Sequence, residues 1–184
     1  MFQRLSQQIL SELARVLGAV KDDEFLAFQR ALLEGRRIFV TGQGRTGLAL
    51  RAFAMRLMQM GIESFVVGET TTPPITPRDL LVAASGTGRT ATTALRVGQA
   101  KELGAPVVLL TAHAETELAR QVDLVVTIPA ATRLRLQDEV PSQQFGGSLF
   151  EQALSLFLDT MAQALVTSGA ASVREMTERH ANLE

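Results

Sequence analysis

Cysteine, tryptophan and tyrosine are missing from this 184-residue chain, and histidine occurs only as His113 and His180. Without thiols there are no disulfides, thiolate nucleophiles or thiolate metal sites. Two histidines are too few for a His-rich metal centre. The chain also has no charge excess: 18 Lys and Arg against 19 Asp and Glu leave a net charge of −1. Neither nucleic acid nor an anionic membrane is therefore favoured as a partner. No apolar run approaches the roughly 18 residues of a membrane helix. The opening Met1-Phe2-Gln3-Arg4 lacks the apolar centre of a signal peptide. With 46% apolar and 20% charged residues, the expectation is a cytoplasmic globular protein forming one domain with a substantial core.

What is present is an alternation of short apolar runs and helical patterns. Residues 1–35 read as two N-terminal helices, the first carrying Phe2, Leu5, Ile9, Leu13 and Val16 at helical spacing, the second capped by Asp22 and ending at Gly35. Residues 36–129 read as the sheet core, with strands at 37–41, 64–67, 80–84, 107–111 and 124–128. Helices are expected at 46–60 and 90–103, with a short one at 116–122. A loop rich in Thr and Pro spans 70–77, and 130–147 is polar and aperiodic. Residues 148–184 read as C-terminal helices, one long and one from Ser172 to Ala181. Strands apolar throughout are covered on both faces. The fold class is therefore α/β: a three-layer α/β/α sandwich on a five-stranded parallel sheet, flavodoxin-like, with right-handed crossovers.

Two segments carry the chemistry. Gly42-Gln43-Gly44-Arg45-Thr46-Gly47 and Ser85-Gly86-Thr87-Gly88-Arg89-Thr90 each follow a strand and open a helix. Such turns present backbone N–H groups at a helix N-terminus, where the dipole favours an anion. The hydroxyls of Ser85, Thr87 and Thr90, joined by Thr46 and the amides of Gly86 and Gly88, suit a phosphate monoester. No lysine is adjacent, so neutral donors are expected to do most of the binding. The first loop formally matches a dinucleotide fingerprint, but Glu69 is followed by the Thr/Pro loop instead of the usual crossover, and no P-loop lysine is present.

The first loop, followed about 40 residues later by Ser85-x-Thr87-Gly88-x-Thr90, resembles the sugar isomerase (SIS) domain. Further segments resemble the single-domain 6-phospho-3-hexuloisomerases within it: Ala52-Phe53-Ala54-Met55-Arg56-Leu57, Val66-Val67-Gly68-Glu69-Thr70, Gly147-Ser148-Leu149-Phe150-Glu151 and Arg179-His180-Ala181-Asn182-Leu183-Glu184. Thr46 and Thr87 stand where Ser is usual, which keeps the hydroxyl, and Arg89 stands where Glu is frequent. The resemblance implies interconversion of D-arabino-hex-3-ulose 6-phosphate and D-fructose 6-phosphate through a cis-enediolate, in the ribulose monophosphate pathway of formaldehyde fixation. It implies a sugar phosphate as ligand, no cofactor and no metal, a homotetramer, and 3-hexulose-6-phosphate synthase as pathway neighbour. Two alternatives stay open: an isomerase of another sugar phosphate, and a non-catalytic sugar-phosphate-binding SIS module.

The expected base is Glu151. Its competing reading is a capping box, Ser148-x-x-Glu151, in which the carboxylate only closes a helix start. His180 is the second catalytic candidate, as a proton shuttle or ring opener reaching a neighbouring subunit; the competing reading is a solvated tail residue. Gly44 and Arg45 are expected at the sugar, with bracing of the turn as the alternative for Arg45. His113 reads as a solvent-exposed loop residue, and Glu69 as an organiser of the Thr/Pro loop.

Overall fold

In the computed structural model, residues 1–183 are described; Glu184, the last residue of the tail motif, lies outside them. The chain runs α1 (Phe2–Leu17), α2 (Asp22–Glu34), β1 (Ile38–Thr41), α3 (Gly44–Gln59), β2 (Ser64–Val66), β3 (Leu80–Ala84), α4 (Ala91–Glu102), β4 (Val107–Thr111), a single 3-10 turn (Ala119–Gln121), β5 (Leu124–Thr127), α5 (Ser148–Thr167) and α6 (Val173–Glu178). The strands form one parallel sheet in the order β2-β1-β3-β4-β5. The expected flavodoxin-like sheet is therefore present.

Strand side chains alternate between two cores, as a period of two requires. Ile38, Val40, Leu80, Val82, Val108 and Leu110 face the larger one, shared with α1, α2, α3 and α5. Phe39, Leu81, Ala83, Val107 and Leu109 face the smaller one, closed by Val97 and Ala100 of α4. With helices on both faces, all five residues of β3 and all five of β4 are buried.

The strand order reverses between β1 and β3, and both Gly-rich loops leave the carboxyl ends of those two strands. Ligands of open α/β sheets bind at such a switch point. Four expectations need correction. Lys21, not Asp22, is the N-cap of α2; Asp22, Asp23 and Glu24 lie in its first turn, where acidic groups complement the dipole. The stretch 116–122 closes only one 3-10 turn. The final helix stops at Glu178, because Arg179 leaves it to reach the end of α3, its Nη1 3.4 Å from the carbonyl of Gln59. His113 is buried, for reasons given below.

Candidate active site

The two loops close around a small cavity of about 210 Å³. Thr46, Gly86, Thr87, Thr90 and Glu151, all singled out by the sequence, line it together. Gln43, Thr132, Arg133, Gly147 and Phe150 complete the wall. A larger cavity of about 340 Å³ lies elsewhere, between α4 and the Thr/Pro loop, and its wall holds neither phosphate-loop segment.

Each loop residue has a distinct part. Gly44 takes φ +58° as the chain turns into α3. Gly86 is a close-approach residue: a Cβ there would stand 2.9 Å from the Phe150 ring. That contact draws the first turn of α5 against the second loop and sets the neighbouring Glu151 at the cavity. Thr90 is the N-cap of α4, and its hydroxyl makes no cap hydrogen bond. Instead its Oγ1 is 2.9 Å from Oγ of Ser85. Ser85 is buried and stands behind Thr90, supporting it without lining the cavity. The amide of Gly88 donates to the Ser85 carbonyl at 3.0 Å, so its part is conformational, with φ +61°.

Glu151 is not a capping residue. The N-cap of α5 is Gly147, one residue earlier than the box requires, and Ser148 makes no side-chain cap. Among the described residues a Ser side-chain cap forms at α6 instead, where Ser172 Oγ accepts the N–H of Glu175 at 3.2 Å. The Glu151 carboxylate instead meets Arg45, with Nε to Oε2 at 2.8 Å. Arg45 therefore touches the candidate base, and both side chains keep access to solvent (62% and 24% exposed).

His180 sits apart from this cavity within its own chain. The residue before it, Arg179, lies against Gly61 just past the C-terminus of α3, its Cζ 3.0 Å from where a Cβ on Gly61 would be. The cavity is at the other end of α3, a 16-residue helix and so about 24 Å long. Met176 of α6 packs on its own chain's larger core. Glu69 pairs with Arg51 of α3, and its carbonyl accepts the amide of Thr72 at 3.1 Å, which folds the start of the Thr/Pro loop.

Sequence reasoning missed Thr132 and Arg133. They lie just beyond β5 in the aperiodic stretch, and the signal was positional: residues following a strand's carboxyl end at the same sheet edge. It also misread His113. The imidazole is 5% exposed, with Nε2 2.9 Å from Oε1 of Glu139 and Nδ1 3.2 Å from Oδ2 of Asp138. Burial follows from those partners, 25 and 26 residues further along.

The SIS domain family profile matches residues 31–145. A 3-hexulose-6-phosphate isomerase of Mycobacterium gastri is 38% identical, over 96% of this chain and 88% of its own. A protein of the same name from Bacillus subtilis (strain 168) is 35% identical, over 96% of each. A crystal structure from Methanococcus jannaschii, said to infer a molecular function of 3-hexulose-6-phosphate isomerase, matches with TM-score 0.83 and 26% identity, over 98% of this chain and 99% of that one. No helix among the described residues is long and apolar enough to cross a membrane.

Proposed function

Since the chain belongs to the SIS domain family and aligns with 3-hexulose-6-phosphate isomerases along 96% of its length, we propose that it interconverts D-arabino-hex-3-ulose 6-phosphate and D-fructose 6-phosphate. The observation that carries this reading is Glu151 at the wall of a hydroxyl-lined cavity at the sheet's switch point. A carboxylate that is free of capping duty and lines the cavity distinguishes an isomerase from a module that only binds.

The chemistry follows from moving a carbonyl from C3 to C2. The Glu151 carboxylate takes the proton from C2, leaving a C2–C3 enediolate, and returns it to C3. The hydroxyl proton on O2 passes to O3, so atoms and charge balance without electron transfer to any cofactor. Thr46, Thr87 and Thr90 hold the phosphate, and Arg45 holds and aims the Glu151 carboxylate beside the sugar. The 3-ketose cannot close a five-membered ring, because its C6 oxygen carries the phosphate. Ring opening is needed only from fructose 6-phosphate.

His180 acts on this chemistry from a neighbouring subunit, a reading supported by its distance from the cavity of its own chain. An apolar groove of about 550 Å³ reaches from Leu13, Leu48 and Leu156 to the Arg45–Glu151 pair. Leu48 and Leu156 are 63% and 40% exposed there, and Phe2 and Leu10 of α1 are also exposed. Apolar surface of this kind suits a second copy of the chain, in a homotetramer.

The direct test is to incubate the purified protein with hexulose 6-phosphate and assay fructose 6-phosphate. No product from a folded, oligomeric sample would reject the activity. Mixing inactive Glu151→Gln with inactive His180→Ala subunits tests the shared site. Hybrids are expected to regain activity, since one interface then holds an intact pair. Absence of recovery after confirmed subunit exchange counts against it.

A further inference from the structure

The cavity wall includes one cation, Arg133, whose guanidinium makes no hydrogen bond or ion pair among the described residues. It lies in the stretch between β5 and α5, yet its backbone is fixed on both sides. The Thr132 hydroxyl donates to Oε1 of Glu139 and accepts the N–H of Leu134 at 3.1 Å. Glu139 is buried, and its Oε1 also meets Nε2 of His113, which extends from the end of β4. Oε2 of Glu139 is buried with no hydrogen bond among the described residues. A buried carboxylate so placed needs a partner, and His113 supplies it. The base of the loop is closed by the amide of Val140 donating to the Pro129 carbonyl at 2.7 Å. A buried histidine thus anchors, through Glu139 and Thr132, the segment that carries an unpaired arginine to the cavity.

We propose that Arg133 is the cation that binds the substrate's phosphate, and that His113 is a positioning residue acting through Glu139 and Thr132. The inference rests on reading the cavity as a sugar-phosphate site. It changes the expectation that neutral donors do most of the binding: the hydroxyls define the phosphate's place and a guanidinium supplies the opposite charge. Planar, forked donors suit phosphate oxygens better than an ammonium does.

The test compares KM for the sugar phosphate, and Ki for inorganic phosphate as competitor, in Arg133→Ala, Arg133→Lys, His113→Gln and the double variant His113→Gln/Arg133→Ala. Thr90→Val serves as the reference for the site itself. Arg133→Ala should raise both constants about tenfold or more, with kcat changed far less, and Arg133→Lys should recover part of the loss. His113→Gln should raise KM by a smaller factor and add nothing to Arg133→Ala, since coupled residues are not additive. If Thr90→Val raises KM and Arg133→Ala leaves it within about twofold, Arg133 is not the phosphate's cation and the site reading survives. If neither variant moves KM, the sugar-phosphate reading itself fails. If His113→Gln adds its full factor to Arg133→Ala, the positioning role is overturned. Should His113→Gln not fold, Glu139→Gln keeps the volume and breaks the same link, with the same expectations.

Discussion

Two arginine–carboxylate pairs stand at opposite ends of the sheet, and their difference separates structure from chemistry. At the amino end, Arg37 grips Asp79 through Nε at 2.9 Å and Nη2 at 2.7 Å. Asp79 also accepts the amide and the hydroxyl of Thr76, both at 2.7 Å, while Arg37 reaches the Pro74 carbonyl at 2.9 Å and covers the Phe39 ring. Asp79 is fully buried and Arg37 is 13% exposed. At the carboxyl end, Arg45 and Glu151 share one contact and keep much of their capacity to bind something else. A saturated pair holds the chain; an unsaturated one beside a cavity is available to a substrate. Exposed pairs contribute little to stability, whereas breaking a buried one leaves an uncompensated charge.

The largest expected effect comes from the unsaturated pair. Glu151→Gln keeps volume and, with no capping box to disturb, should leave Tm unchanged. If Glu151 moves the proton, kcat falls roughly 10²–10⁴-fold while substrate still binds. A variant retaining more than about a tenth of normal kcat would remove Glu151 from the mechanism.

The saturated pair should respond in the opposite way. Asp79→Asn is expected to cost about 3 kcal/mol in urea unfolding and to leave kcat of the folded protein near normal. A pH series sharpens this. The Arg37 guanidinium, against the opposing effect of burial and with help from Thr76, holds Asp79 at about 2, below its ordinary 3.8. Glu12 on α1 is a second such group. Burial raises it, but hydrogen bonds from Ser142, Gln144, the Gln143 amide and Gln8 outweigh that and bring it from 4.5 to about 2. A carboxylate held low stabilises the fold above its ordinary pKa, and that contribution disappears as pH falls through the folded value. Stability should therefore decline from about pH 4.5 to about 2, by roughly 2–3 kcal/mol per group. Asp79→Asn should flatten the part of the curve below 3.8. An unchanged slope in that variant would show that Asp79 is not the group responsible.

The same distinction marks what the sequence could reveal. Apolar runs such as Val107–Thr111 and the hydroxyls at Thr46, Thr87 and Thr90 are local signals, and they place the strands, the sheet edge and most of the cavity wall. Arg133 carried no such signal, because its stretch has neither helical nor strand periodicity and takes its shape from distant partners: His113 on Glu139, and Glu12 on Ser142 at 2.6 Å. His113 read as exposed because nothing near it in sequence shows that two carboxylates fold over it. Ser148-x-x-Glu151 reads as a cap because the pattern is local, whereas α5 starts from Gly147 and the Glu151 carboxylate is taken by Arg45, more than a hundred residues earlier. Where side-chain roles are decided by partners far along the chain, a single sequence leaves the alternatives open.

The smallest expected effect applies the comparison within the cavity itself. Thr90 lines the wall and Ser85 stands behind it, the two hydroxyl oxygens 2.9 Å apart. Thr90→Val removes a donor to the phosphate and should raise KM about tenfold. It breaks no side-chain helix cap, so Tm should move little. Ser85→Ala removes only the support, and KM should rise about two- to threefold. If Ser85 acts through Thr90, adding Ser85→Ala to Thr90→Val should change KM no further. The sequence alone treats the two hydroxyls as equals on one phosphate, and that view predicts that both losses multiply. A double variant whose KM is the product of the two single effects would restore Ser85 to direct contact with substrate; a KM equal to that of Thr90→Val alone would keep it as the residue that aims Thr90.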